Sequence, residues 1–463
     1  MPNWKISPDM DLSADNDAQG LLTDLYELTM LQAYWHEGMN DTATFSLFYR
    51  EMPEQRNVML ACGQEYAARQ VSQLHFPSRQ VNRLKTLDLF QDGFLQWLQD
   101  FRFSGEIHCL PEGTPVFPQE PLLEITAPLM EAQLLESLLM NYVHLETVLA
   151  SKALRMVLAA DGRPVVDFGM RRMHGSDAAL RGVRAYRAAG LAGTSNVLGG
   201  LQHGLPLRGT MAHSYIQAHD SEMAALRTYA QLYPGTTLLV DTYDSQAGVE
   251  KVVRLVRDEG LDVGAIRLDS GDLSQQAKDA RRQLDAAGLQ QVRILVSGGL
   301  DEYRIAGLMA AGAPIDGFGV GTSMGASSDA PTLDLAYKLT DYAGHPRLKN
   351  SPGKQLHPGR KQVWRQTDEQ GHYQQDRITA RDEQSEGEPL LQPVIQGGEP
   401  CREAPDLAVT RENVARHLRK LPEALLSLHP AQSSYPVEFS QRLMALRETV
   451  LEELEGALLH SGT

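Results

Sequence analysis

The stretch PLRGTMAHS, Pro206–Ser214, decides how this chain is read. It reads as a short strand that runs into small and polar residues, with His213 just past its end. The same design recurs on either side. Phe168–Arg172 follows the apolar PVV, Asp241 closes TTLLV, Arg267 and Asp269 close VGAI, Ser297–Gly299 closes RILV, and Gly319–Thr322 follows IDGF. Parallel barrels carry their chemistry on the carboxyl ends of many strands that face one mouth. A chain with His, Arg, Asp and Gly-Thr at successive strand ends is therefore predicted to build one polar pocket, an enzyme active site.

Working outward, strand candidates fall near residues 164–168, 194–198, 206–211, 236–241, 263–268, 292–297 and 315–320, alternating with helical stretches. That rhythm marks βα units and an α/β fold with a parallel sheet or barrel. A regular barrel has eight strands, so the count predicts an incomplete or irregular one, or one strand unseen. Upstream, Gly20–Trp35 reads as an amphipathic helix holding Tyr26, whose pattern alone suggests core packing. Thr42–Tyr49 reads as a strand, Val58–Val71 and Phe90–Phe101 as helices, and Gly105–Ile125 as a small antiparallel sheet. Met130–Ala160 is helical and apolar around most of its circumference, which predicts burial between layers and structural or interfacial roles for His144 and Glu146. Downstream, Leu335–Leu339 and Lys361–Arg365 read as strands, and Asn413–Leu428 and Val437–Leu459 as closing helices. The polar stretch 367–400 is expected to be solvent-exposed or mobile.

Composition narrows the function. A chain of 463 residues implies two or three domains, and 42% hydrophobic with 22% charged residues is a globular composition. A net charge of −16 argues against nucleic acid and anionic membranes, which need a basic surface, but leaves room for a small anion held by local arginines. Cys62, Cys109 and Cys401 show neither metal nor redox spacing, so a reducing compartment, the cytoplasm, is expected. The first twenty residues are polar and acidic, so no secretory leader is expected. No apolar run approaches the roughly 18 residues of a membrane span.

The strand-end residues have bland and chemical readings side by side. His213, between Thr210 and Ser214, is either a satisfied structural histidine or a base or nucleophile whose tautomer Asp241 or Asp269 fixes. Arg171 and Arg172 suit either surface salt bridges or bidentate binding of carboxylate and phosphate, and Phe168 could stack on a heteroaromatic ring. In Arg267-Leu-Asp-Ser-Gly-Asp272 the arginine can clamp an anion, and Asp269 with Asp272 can hold Mg²⁺ directly or through water. The alternative for Ser270 and Asp272 is helix capping. The glycine turns at 296–300 and 319–323 expose N–H groups and together suit a phosphate cradle. Residues alone thus point to an enzyme acting on a phosphorylated sugar and a small anion.

LLTDLYELTM (21–30), FGMRRMHG (168–175), GTSNV (193–197), GTMAHS (209–214), RLDSGDL (267–273), VSGGLDE (296–302) and GVGTS (319–323) together resemble the nicotinate phosphoribosyltransferases, in order from about residue 20 to 340. The resemblance implies an irregular, seven-stranded α/β barrel over 161–330 beside an α/β sandwich domain over 1–160. The C-terminal extension, 331–463, would partly return to the sandwich. It implies that nicotinate and 5-phosphoribosyl 1-diphosphate combine to nicotinate mononucleotide and diphosphate with ATP hydrolysis, in NAD salvage. His213 would be the phosphorylated histidine, oriented by Asp241 and Asp269. Tyr26 and Phe168 would flank the pyridine ring, Arg267 with Thr210 would take the nicotinate carboxylate, and Arg171 would meet the diphosphate. Ser297, Gly298, Gly299, Gly321 and Thr322 would cradle the 5-phosphate, and Mg²⁺ would neutralise the leaving diphosphate. A homodimer is implied, with Tyr26 reaching the neighbour's pocket. The sister nicotinamide enzymes are expected to carry an acidic residue next to the histidine, where this chain has Ser214. Quinolinate phosphoribosyltransferases need extra cationic residues and no ATP-linked histidine. A non-catalytic sensor of phosphoribosyl diphosphate would not need His213.

Overall fold

A computed structural model describes residues 20–349 and 356–460. The leader expectation falls on residues 1–19, outside the described residues. Two hydrophobic cores organise the rest.

The first core lies under a seven-stranded antiparallel sheet. Its order is His345–Pro346, Leu335–Tyr342, Thr42–Tyr49, Leu123–Pro128, Glu106–Cys109, Gln392–Gln396 and Glu399–Pro400. Thr42–Tyr49 is central, and its β-branched and aromatic residues are buried in all positions but the first. The sequence between 58 and 71 does not form one helix. Met59–Leu60 pairs with Pro115–Val116, Gly63 turns the chain at φ +90°, and the helix spans Gln64–Gln73.

The second core surrounds six parallel strands, numbered here in chain order: β1 (Val165–Asp167), β2 (Gly193–Thr194), β3 (Thr236–Leu239), β4 (Val263–Leu268), β5 (Arg293–Val296) and β6 (Gly317–Val320). Their order in the sheet is β2-β1-β6-β5-β4-β3. This corrects the expected seven-stranded barrel: the parallel strands make a half-barrel. Residues 206–211 contribute only a bridge from Leu207 to Thr194. Pro206 lacks an N–H, and Gly209 weakens any strand, so the pairing goes no further. The strand expected at 194–198 also stops early, because the Asn196 side chain accepts from Gly199 N at 3.0 Å and starts the helix Val197–His203.

The helix Glu136–Ala159 joins the cores, with Leu138, Leu139 and Val143 in the first and Leu149, Ala153 and Leu154 in the second. It is separate from the helix Leu129–Leu134, so the long pattern beginning at Met130 breaks at Leu135. Its Glu146 is fully buried against the guanidinium groups of Arg181 and Arg184. His144 Nε2 accepts from Leu333 N at 3.0 Å.

The stretch 367–400 is exposed along much of its length, as expected, but it carries regular strands. Lys361–Thr367 and Tyr373–Ala380 form a hairpin within a four-stranded sheet. Its buried face pairs charge internally: Asp376 is ion-paired across the hairpin to the buried Arg365. At the end of the chain Val437–Phe439 is a strand, with the last helix running Gln441–His460. The helix expected at 413–428 runs Leu407–Lys420 and stops before Pro422.

Candidate active site

The carboxyl ends of β3, β4 and β5 meet at Asp269. Ser297, which follows β5, donates from Oγ to Asp269 Oδ1, and Arg267 Nη2 lies 3.7 Å from the same oxygen. Asp269 Oδ2 faces His213 Nε2 at 3.8 Å. The other imidazole nitrogen, Nδ1, is 3.1 Å from Thr242 Oγ1. His213 is the first residue of the short helix His213–Gln217, so it projects from a helix start and not from a strand end.

Arg267 Nη1 donates to Thr210 Oγ1, so the arginine and threonine expected together are together. Burial lowers the Arg267 guanidinium from its ordinary range, Asp269 and Asp241 oppose that shift, and Arg171 adds to it. Its Nε is buried with no protein partner, as is Asp241 Oδ1. Unpaired buried polar atoms at a strand end are what a polar ligand would satisfy.

Asp241 does not touch the imidazole. Its Oδ2 accepts from Asp269 N at 2.7 Å and Ser270 N at 3.0 Å, so it fixes the loop that presents Asp269. Thr242, which sequence reasoning missed, takes the place beside His213. The signal available was its position directly after Asp241 at the end of β3.

The glycine turns follow β5 and β6. Gly298 has φ +94°, and a Cβ there would come within 1.7 Å of Asp269 O, so only glycine lets the two loops approach. The Phe168 ring covers Gly319, where a Cβ would lie 2.4 Å from Phe168 Cε2, and Phe168 N donates to Val320 O at 2.7 Å. Gly321 leads into the turn Thr322–Gly325. Arg172, not Arg171, reaches this turn, donating from Nη1 to Thr322 Oγ1 at 2.8 Å. Asp167 was also missed. It is buried at the end of β1 and accepts from Gly169 N and Thr194 Oγ1, each at 2.7 Å. Burial raises its carboxyl above the ordinary range.

Two expected residues stand apart. Tyr26 is exposed on the rim of a separate open pocket of about 540 Å³, with Asp24, Glu136, His144 and Leu333 among its walls. Asp272 caps the helix Leu273–Ala286, accepting from Gln275 N at 3.0 Å. Among the described residues no group of three or more His, Cys, Asp or Glu converges to hold a metal ion. Asp269 and Asp272 therefore do not form a resident cage. Two carboxylates in one loop would suit only a cation that keeps most of its waters.

Three family models match the chain: the nicotinate phosphoribosyltransferase N-terminal domain over residues 21–144, the family core over 164–370 and the C-terminal domain over 384–447. The nicotinate phosphoribosyltransferase pncB2 of Mycobacterium tuberculosis is 49% identical over 427 residues, 92% of each chain. The crystal structure of human nicotinic acid phosphoribosyltransferase superimposes with TM-score 0.82 at 27% identity, covering 92% of this chain and 99% of that one. That of a nicotinate-nucleotide pyrophosphorylase from Pyrococcus furiosus gives 0.72 at 26% identity, covering 90% and 99%.

Proposed function

The chain belongs to the nicotinate phosphoribosyltransferase family, and on that premise we propose that it joins nicotinate to 5-phosphoribosyl 1-diphosphate in a cycle coupled to ATP, for NAD salvage. One observation carries the coupled reading. His213 has Thr242 at hydrogen-bond distance from Nδ1 and Asp269 facing Nε2 at 3.8 Å, while its ring remains partly open to solvent. An imidazole so oriented can attack the γ-phosphorus of ATP as the bond to ADP breaks, with Asp269 facing the positive ring that results. Water later releases phosphate from the phosphohistidine.

In the transfer itself the bond from ribose C1 to diphosphate breaks, and the pyridine nitrogen bonds to C1. Positive charge develops on the sugar, so positioning and charge complementarity do most of the work. Arg267, held by Thr210, takes the nicotinate carboxylate, and the Phe168 ring bounds the pyridine. The turns at Ser297–Gly299 and Gly321–Thr322 hold the 5-phosphate. Arg171, exposed nearby, meets the diphosphate. Asp269 and Asp272 are the carboxylates that would hold a Mg²⁺ there, through water, and the ion would supply charge neutralisation for the diphosphate.

Tyr26 lies on another pocket of the same chain, which supports a homodimer in which it completes the neighbour's site. The three cysteines are unpaired, which fits a cytoplasmic enzyme. Incubation with ATP labelled at the γ-phosphate tests the coupling: acid-labile phosphate on His213 is expected, and an unlabelled His213 would remove the phosphohistidine from the cycle.

A further inference from the structure

We propose that Lys152 is a positioning residue for the phosphate end of the substrate, an inference that rests on the glycine turns at 297–299 and 319–322 forming the phosphate cradle. Lys152 lies in the helix Glu136–Ala159 and is 1% exposed. Its ammonium stands 2.6 Å from Glu302 Oε2 and 2.8 Å from Asp329 Oδ1. Those two carboxylates belong to the two halves of the cradle.

Glu302 opens the helix Glu302–Ala310, which follows directly on the Gly298–Gly299 turn. Arg304 of the same helix donates to Gly299 O at 2.7 Å, so helix and turn move as one piece. Asp329 lies just beyond Thr322–Gly325, the short helix that Gly321 introduces. Arg56 grips Asp329 at 2.9 Å and Ser327 Oγ at 2.6 Å, and Ser327 is held at φ +45°. Arg155 Nε reaches Glu302 at 2.8 Å but Asp329 only at 3.9 Å. Within this network, then, Lys152 is the cation in hydrogen-bond contact with both carboxylates.

The consequence is geometric. Backbone N–H groups on two separate loops bind one phosphate only if their separation is fixed. A buried ammonium shared by a carboxylate behind each loop fixes it, because separating the loops would pull one carboxylate off the ammonium and lose a buried charge-assisted contact. Three cations set against two anions also leave a positive excess behind the cradle, where it favours a phosphate.

The test compares KM values in the full-length protein. Lys152→Met should raise the KM for 5-phosphoribosyl 1-diphosphate about tenfold and leave that for nicotinate within about twofold, since misplaced binding groups cost one substrate and not the other. Lys152→Arg should restore most of the loss. Thr322→Val tests the underlying cradle reading and should raise the same KM. If Thr322→Val has its effect while Lys152→Met has none, or moves both KM values equally, the positioning role is overturned. If Thr322→Val changes nothing, the cradle reading falls and takes the inference with it. Should Lys152→Met fail to fold, Glu302→Gln keeps the side-chain shape, removes one anchoring charge and is judged by the same split.

Discussion

His213 Nε2 faces Asp269 Oδ2 at 3.8 Å while Thr242 Oγ1 holds Nδ1 at 3.1 Å, so the imidazole is oriented at Nδ1 with a carboxylate near its other nitrogen. A histidine poised in this way is suited to accept and release a phosphoryl group. His213→Ala should abolish ATP hydrolysis yet leave slow, uncoupled mononucleotide synthesis. Full ATPase activity in that variant would exclude His213 as the acceptor. Asp269→Asn keeps the shape but loses the charge, and should lower kcat by roughly 10²-fold or more, the range typical of such orienting groups.

Arg267 is half-buried, with its Nε unpaired and its Nη1 on Thr210. Arg267→Ala should raise the nicotinate KM steeply, since an unpaired carboxylate in a closed pocket costs about 2–5 kcal/mol. An unchanged KM would move the carboxylate clamp elsewhere.

The hairpin pair Arg365 and Asp376 is the most deeply buried ion pair of the C-terminal region, and Arg365 also donates to Pro115 O at 2.8 Å. Asp376→Asn should destabilise the protein by about 3–5 kcal/mol, because it removes the carboxylate that pairs directly with the buried guanidinium. Denaturant unfolding measures this, and a loss below about 1 kcal/mol would contradict it.

Glu27 is fully buried, and burial pushes its carboxyl up from 4.5 to about 7, against the opposing hydrogen bond from Gln133. Between those values the folded protein keeps the proton and the unfolded chain has lost it. Stability therefore falls as pH rises from 4.5 to 7 through this group. Glu27→Gln should flatten that slope in thermal unfolding followed across the window. An unaltered slope would place the proton uptake on another group.

The strand ends were legible because each combines a short apolar run with a polar residue that has no reason to be there for packing. Asp269, Ser297, Arg267 and Thr210 were found that way, and they touch. Thr242 was not legible, because a threonine after an aspartate at a loop start has many ordinary explanations. Where Asp241 points was not legible for a related reason. Spacing places a carboxylate at a strand end but does not say whether it points at a side chain or at the neighbouring loop's N–H groups. The rhythm of strands overstates 206–211, where Pro206 and Gly209 weaken pairing and only the Leu207–Thr194 bridge forms. The polarity of 367–400 announces its exposed face, but not that Asp376 pairs with Arg365 across a hairpin. The network of Lys152, Glu302 and Asp329 joins residues from three distant parts of the chain, and nothing local in the sequence marks it.

The measurement that tests the account most directly is mononucleotide formation from nicotinate and from nicotinamide, each with 5-phosphoribosyl 1-diphosphate, with and without ATP. The account predicts product from nicotinate, more of it when ATP is present, and little from nicotinamide. Equal turnover of nicotinamide, or no product from nicotinate under any condition, would contradict it.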